Sequence, residues 1–172
     1  MTSADATLIT AQKDGFDVGV LREAFGCFPS GVTAFCAMVD GRPIGMAASS
    51  FTSVSLDPAL VSVCVGESST TWPHLANRDT LGLSVLSSAH GPVARALSAR
   101  SSDRFGDIDW IATERGAVFV HGATLWLECA PYAAVPAGDH TIVILRIVAL
   151  AMRPDIEPMV FHRSGFHGVA AR

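Results

Sequence analysis

The sequence predicts a mainly β protein, a closed antiparallel barrel with a few short helices. Six or seven short segments are rich in β-branched and other apolar residues, and most are separated by hairpin turns such as Asp40-Gly41-Arg42-Pro43. Few segments have the 3.6-residue spacing of an amphipathic helix. A doubly wound parallel sheet needs a helix after nearly every strand, so the barrel is favoured.

Three helices are predicted from apolar spacing and from proline positions. The first covers residues 18–28 and ends at Pro29, which cannot continue a helix. A second, short helix is expected over 72–77, directly after a run of serine and threonine. The third covers 92–99, where a proline suits the first helical turn.

The other regular segments are predicted strands, and residues 103–110 are expected to form a loop. Residues 1–17 are polar and mixed, which predicts a flexible N-terminal arm before a single domain over 18–172. The predicted strands cover residues 32–39, 44–51, 59–65, 80–86, 117–120, 123–129, 140–152 and 159–162.

Composition narrows the class of protein. With 172 residues, 49% of them apolar, the chain can bury a substantial core, and its net charge of −4 is too small for a disordered chain. Its basic residues are scattered, so nucleic-acid binding is not expected. No apolar run approaches the ~20 residues of a membrane span, and no signal peptide is visible, so we expect a cytoplasmic protein. The widely spaced cysteines imply no disulfide framework.

Three polar clusters interrupt the apolar β-structure. Small residues let a ligand approach the backbone, and hydroxyl and N–H groups can hold an anion. The third cluster stands just before a predicted helix, an ordinary place for a phosphate. Serine and threonine also favour turns and helix caps, so each cluster taken singly has that simpler explanation. The clusters are Pro29-Ser30-Gly31 with Thr33, residues 47–53 with Ser55, and residues 68–71.

The order of these clusters matches a known family. The run FPSGVTAFCAMVDGRPIGMAASSFTSVSLDPALVSVCV at 28–65 resembles the flavin reductase domain, an FMN-binding split barrel. Residues DRF at 103–105, the strand over 122–129 and PAGDHTIVIL at 136–145 extend the resemblance. It covers the chain from about Leu21 to Phe166. It implies a six-stranded antiparallel split barrel with Greek-key topology.

Carried over position by position, the resemblance implies three contact regions for a flavin. One lines the isoalloxazine edge, one meets the polar pyrimidine side and the ribityl chain, and one cradles the phosphate. A flat ring with one hydrogen-bonding edge and a phosphorylated tail suits such a set. In that order the residues are Pro29, Ser30 and Gly31; Ala47, Ala48, Ser49 and Ser50; and Ser69, Thr70 and Thr71, with Arg104 as a cationic helper.

Two further positions are implied to face the nicotinamide. His140 would bind or orient it, with Gly138 permitting the tight turn and Asp139 fixing the imidazole tautomer. Hydride transfer depends on geometry, so an obligatory proton-donor role for His140 is not expected. In the family an aromatic residue, often tyrosine, closes over the nicotinamide, and here Phe166 fills that position. Phe166 as packing at the barrel end is the alternative.

The sequence offers no metal site and no Rossmann fingerprint. His162 and His167 are five residues apart without helical spacing, and the other histidines are isolated. No G-x-G-x-x-G motif is present, so any nicotinamide binding needs a different geometry.

The resemblance implies a homodimeric NAD(P)H:flavin oxidoreductase that reduces FMN or FAD and supplies the reduced flavin to a partner monooxygenase. FMN and FAD stay equally open, as do NADH and NADPH. One alternative is a non-catalytic flavin carrier or electron-transfer protein on the same barrel. The other is a tightly flavinylated oxidase of the pyridoxamine-phosphate oxidase type, which the Gly138-Asp139-His140 sequence disfavours.

Overall fold

Strands dominate the part of the chain that this computed structural model describes, residues 7–101 and 103–169. The helices are α1 (Val18–Gly26), α2 (Trp72–Leu75) and α3 (Gly91–Ser98). The strands are β1 (Ser30–Gly31), β2 (Thr33–Val39), β3 (Arg42–Ala48), β4 (Thr52–Leu56), β5 (Ala59–Gly66), β6 (Leu81–Val85), β7 (Trp110–Ala112), β8 (Val118–Val120), β9 (Leu125–Ala137), β10 (His140–Met152), β11 (Val160–His162) and β12 (Gly165–His167). The mainly β prediction with a few short helices is confirmed.

The main sheet is antiparallel and has seven strands in the order β3-β2-β6-β9-β10-β5-β4. The outer strands of this order, β3 and β4, do not pair with each other in the described residues. The prediction of a closed barrel is therefore wrong. A three-stranded sheet, β1-β11-β12, and a β7-β8 hairpin lie beside it. The sequence predicts β8 within 117–120 and β11 within 159–162, but not their partners β1, β7 and β12, which have only two or three residues.

Strand β4 was not predicted, and it follows the segment over 44–51 that the sequence predicts as one continuous strand. The chain leaves β3 after Ala48, and the Ser50 hydroxyl then replaces a backbone group in pairing with β5. It accepts from the Cys64 nitrogen at 2.8 Å and donates to the Cys64 oxygen at 3.1 Å. Beyond that point β4 pairs with the outer edge of β5 and becomes an end strand of the sheet.

Two apolar clusters stabilise the fold. In the first, the sheet curls so that Met46 of β3 and Val63 of β5 pack into the same core around Phe35. The second lies under α3 and contains Leu97 and Val118, among others. Burial of such side chains contributes roughly 1.5–3 kcal/mol each relative to exposure.

Strand β9 continues eight residues past the predicted end at Cys129, through Pro131 and Pro136. Prolines normally end a strand because they lack the N–H group of the ladder. Here residues 131–137 pair only with β10, and β6 pairs no further along β9 than Cys129. The prolines are therefore tolerated at an edge, and all seven residues are exposed.

The N-terminal arm is described only from residue 7, and residues 1–6 of the predicted flexible arm lie outside the described residues. Gln12 and Gly15 exchange backbone hydrogen bonds of 3.0 and 2.9 Å in a tight turn. The Asp17 carboxylate then caps α1 by accepting from the Gly19 and Val20 nitrogens. Among the described helices none is long and apolar enough to cross a membrane.

All four cysteines are free thiols. Burial raises the pKa of Cys36 to about 12, and burial together with the neighbouring Glu128 carboxylate raises the pKa of Cys129 to about 12. Both stay protonated at neutral pH and behave as small apolar core residues.

Candidate functional site

The segment Ala47–Ser50 lies at the end of β3, where the main sheet meets the three-stranded sheet. Its Ser50 hydroxyl is held by the backbone of Cys64, which uses its one proton and one of its two lone pairs. A ligand can therefore donate one hydrogen bond to Ser50 but cannot accept one from it. Ala47 and Ala48 leave space beside the backbone.

The third polar cluster packs against the same part of β3. The Ser69 hydroxyl lies 3.7 Å from the Met46 sulfur and accepts from the Trp72 nitrogen at 3.1 Å. Helix α2 behind it has only four residues, so the phosphate-binding argument from a helix N-terminus contributes little here. Any phosphate held by this cluster depends on its side chains.

A cavity of about 270 Å³ opens beside this cluster. Thr70 and Thr71 line it together with His74, a histidine that is isolated in the sequence. His74 stands three residues after Thr71 on a helical turn, a spacing that puts two side chains on one face. That spacing was the signal that could have identified it.

Arg104 forms one wall of this cavity and ties three elements together. Its Nη1 shares its two N–H groups among three acceptors, the Thr71 hydroxyl at 2.8 Å, the Gly45 oxygen on β3 at 3.1 Å and the Leu97 oxygen on α3 at 3.2 Å. The rest of the guanidinium has no further hydrogen bond among the described residues. Arg104 is therefore both a structural cross-link and a positive charge at the cavity wall.

The Gly138–His140 turn connects β9 to β10. Gly138 has φ +65°, which favours glycine, and the Asp139 oxygen accepts from the Glu67 nitrogen at 2.9 Å. This bond holds the turn against the start of the Ser68–Thr71 loop. His140 pairs with Gly66 on β5, two residues beyond the Cys64 that holds Ser50.

The side chains of Asp139 and His140 form an exposed pair with 2.7 Å between Oδ1 and Nδ1. The hydrogen bond from His140, and then its charge, lowers the pKa of Asp139 below its ordinary value. Asp139 is thus an ionised acceptor at neutral pH, and Nδ1 carries the proton. In the neutral imidazole Nε2 is then the free acceptor, and it faces the region above Gly66.

The first polar cluster lies across the Ala47–Ser50 segment from Arg104. Ser30 pairs with Phe161 of β11, and both border a cleft of about 700 Å³. Pro29 and Gly31 line the same cleft, as do Ser49 and Ser50, so the first two polar clusters share one space. Arg22, Phe51, Phe161 and Arg163 also line it, and no sequence pattern predicts any of these four as a site residue.

Phe166 packs against Phe161 and Arg95. Its ring lies 5.6 Å from that of Phe161, with the Arg95 guanidinium 6.0 Å from its centroid. It borders a small cavity of about 130 Å³ together with Ala47, Ala48 and Ser49. Its predicted contact with nicotinamide stays a prediction.

The predicted residues thus surround the end of β3 and the end of β5, but they line separate spaces. Thr70, Thr71 and Arg104 border one cavity, and Pro29–Gly31 with Ser49 and Ser50 border another. His140 lies beside neither and stands at the exposed end of β5. Within residues 7–101 and 103–169, no three His, Cys, Asp or Glu side chains are placed to hold a metal ion.

Fold and site together define a mainly β protein with adjoining spaces lined by hydroxyl, aromatic and arginine side chains. Comparison with known proteins identifies the family. Residues 25–170 match the model of the flavin reductase like domain. The flavin reductase of Pseudomonas putida is 33% identical over an alignment of 172 positions that covers 99% of each chain. This chain belongs to the flavin reductase-like family.

Two further relatives are informative. The structure of the NADH:FAD oxidoreductase of Streptomyces globisporus, in complex with NAD and FAD fragments, has a TM-score of 0.86 and 36% identity, covering 95% of this chain and 98% of its own. The stachydrine N-demethylase reductase subunit of Rhizobium meliloti (strain 1021) is 37% identical over 139 residues. Those residues are 80% of this chain but 60% of that subunit, so the chain spans less than two thirds of this relative.

Proposed function

We propose that this chain is an NAD(P)H-dependent flavin reductase that reduces FMN or FAD by hydride transfer and releases the reduced flavin to a partner monooxygenase. The observation that carries this proposal is that the first polar cluster shares a cleft with Ser49 and Ser50, and the third packs on the same strand, β3, at Met46, in a member of the flavin reductase-like family. The similar P. putida and S. globisporus proteins bear flavin reductase names.

The residues present fit a flavin. Its phosphate needs donors and positive charge, which Thr70, Thr71, His74 and Arg104 offer around one cavity. Its ring needs small residues and hydrogen-bonding groups along one edge. Ala47, Ala48, Ser49 and Ser50 offer these between the cleft of about 700 Å³ and the cavity of about 130 Å³. When bound, the flavin supplies the hydride-accepting ring, and this chain supplies binding and orientation.

His140 orients the nicotinamide in this proposal. The ionised Asp139 holds the proton on Nδ1, so in the neutral imidazole Nε2 presents a fixed acceptor above Gly66. An acceptor at this position suits an amide N–H group such as that of a carboxamide. His140 therefore binds and positions, and no proton transfer through it is required.

The test is steady-state oxidation of NADH and NADPH by the purified chain, with and without added FMN, FAD or riboflavin. We expect oxidation that depends on added flavin. His140→Ala is expected to lower kcat/KM for the nicotinamide by about 10- to 100-fold, because positioning is lost. His167→Ala, at an exposed histidine of β12, is the matched control and should retain wild-type rates.

Absence of oxidation with every flavin would exclude the proposed activity. Flavin binding without turnover would instead indicate a carrier, and His140→Ala would then change nothing. Flavin that stays bound through desalting and turns over without exchange would indicate the oxidase alternative.

A partner monooxygenase is supported by the similarity to the protein of Acinetobacter baylyi that is named as the reductase component of a flavin-dependent trigonelline monooxygenase. The split-barrel form of the sheet is supported by its curl around one core, in which Met46 and Val63 meet.

The division into an arm over 1–17 and a domain over 18–172 is supported by the cap of α1 at Asp17. A cytoplasmic location stays a prediction from the sequence.

The dimer is supported by the outer half of β9. Residues 131–137, Pro-Tyr-Ala-Ala-Val-Pro-Ala, contain no charge, are exposed, and pair on one side only. Tyr132 and Val135 are 50% and 47% exposed. Because the prolines lack N–H groups, we expect side-chain packing rather than strand addition to form the interface.

Sedimentation velocity is expected to give twice the chain mass. Val135→Lys should shift this protein toward the monomer, because it places a charge inside an apolar contact. Val169→Lys, another exposed valine outside this strand, is the control. A monomeric wild-type protein, or a variant that dimerises as well as wild type, would contradict the β9 interface.

A further inference from the structure

The largest cleft described above is positively charged in a protein that is negative overall. Arg22 and Arg163 are the charged residues among those that line this cleft of about 700 Å³, and no aspartate or glutamate joins them. The chain as a whole has a net charge of −4. These two arginines come from positions 141 residues apart, so only folding brings them to one space.

Neither arginine is neutralised by a carboxylate. The ion pairs within the described residues are Arg115 with Glu128 and Asp139 with His140. Both Arg22 and Arg163 are exposed, so their guanidinium groups are available to a ligand. Glu23 borders only the adjoining space of about 470 Å³, on the far side of the two arginines.

The position of Arg163 is fixed by the backbone. Arg163 and Ser164 form the turn between β11 and β12, and both have left-handed conformations, with φ of 46° and 62°. Such conformations cost a non-glycine residue free energy and persist where surrounding structure holds them. The Arg163 nitrogen donates to the Gly26 oxygen at 3.1 Å, which holds the turn against the end of α1.

The walls of the cleft suit a ligand with a ring. Phe25 and Phe28 border it, and they are 70% and 76% exposed although they are large apolar side chains. Phe51 and Phe161 stand in the same lining. Ser49 and Ser50 form the part of the cleft that belongs to the proposed flavin segment, so a ligand in the cleft contacts that segment and the arginines together.

We propose that Arg22 and Arg163 bind phosphate groups of the nicotinamide dinucleotide and thereby determine its KM. This rests on the proposed function. Guanidinium groups bind phosphate oxygens through paired, charge-assisted hydrogen bonds, and a dinucleotide brings at least two phosphates beside its rings. The bound phosphates lie away from the reacting atoms, so their contacts are equal in ground and transition states and act on KM rather than kcat.

The experiment compares Arg22→Gln, Arg163→Gln and the double variant with wild type, at saturating FMN and varied NADH or NADPH. Each single variant is expected to raise the KM of the dinucleotide about tenfold and to leave kcat within about twofold. The double variant is expected to raise KM further and to weaken its dependence on salt. Arg42→Gln, an exposed arginine at the start of β3, is the control and should match wild type.

Comparison of the KM values for NADH and NADPH identifies which phosphate group the two arginines bind. An equal increase in KM for NADH and NADPH assigns the arginines to the pyrophosphate, and an increase for NADPH alone assigns them to the 2′-phosphate; either result supports the proposal. Unchanged KM values in an active enzyme would overturn it. Weaker binding of FAD but not FMN, with KM unchanged, would also overturn it by assigning the arginines to the adenosine half of FAD. An inactive wild-type protein would instead remove the proposed function itself.

Discussion

Replacement of Arg104 by alanine is expected to raise the dissociation constant of FMN by about 10- to 100-fold, because a charge-assisted contact with phosphate is lost. The binding of riboflavin, which has no phosphate, should change by less than about threefold. The Arg104 guanidinium stands beside Thr70, Thr71 and His74 in the cavity proposed for the phosphate. Fluorescence titration of both flavins with wild type and variant measures the two constants.

The comparison with riboflavin separates the ligand role of Arg104 from its structural role. Its Nη1 also donates to Gly45, Thr71 and Leu97, and the Gly45 and Leu97 oxygens would lose this donor in the variant. We expect a loss of about 2–4 kcal/mol in the free energy of unfolding from this cause. Arg100→Ala, at an exposed neighbour, is the control. Equal weakening of FMN and riboflavin would contradict a phosphate contact.

Replacement of Gly82 by alanine is expected to lower the free energy of unfolding by about 3 kcal/mol or more. A methyl group at Gly82 on β6 would collide with the carbonyl oxygen of Val118 and lie 2.7 Å from its nitrogen. Both residues are buried and the obstacle is backbone, so β8 must move away from β6. That movement also breaks the 3.0 Å hydrogen bond from the Val120 nitrogen to the Ser84 hydroxyl.

Urea denaturation of the variant measures this loss. Gly91→Ala is the matched control, because its new methyl group would meet only the flexible Arg95 side chain at 3.5 Å in the first turn of α3. We expect its stability to stay within about 1 kcal/mol of wild type. A Gly82→Ala protein as stable as the control would show that β8 does not pack directly on β6.

The sequence predicted the long regular elements well because their signals are local. The apolar run from His140 to Met152 predicted β10 with both ends correct, and α1 began at the expected residue. The elements that were missed depend on distant partners. Strand β4 exists because the Ser50 side chain bonds to Cys64, and the outer half of β9 tolerates two prolines because it is an edge.

The flavin and nicotinamide roles of the site residues stay predictions. The structure brings the first polar cluster and Ser49–Ser50 to one cleft and places Thr70 and Thr71 at another cavity. The sequence could not predict that the polar clusters line separate cavities, nor which other residues line each cavity. His74 looked isolated until α2 placed it beside Thr71, and Phe51 and Phe161 read as ordinary strand residues.

The sequence by itself determined the mainly β class, the polar clusters and, through their order, the family. These depend on residue type and on spacing along the chain, which need no tertiary contact. Only the tertiary structure decided that the main sheet has two ends, that Arg104 cross-links three elements, and that Arg22 and Arg163 share one cleft. Each of these depends on residues far apart in sequence, whose proximity is set by how the sheet curls and packs.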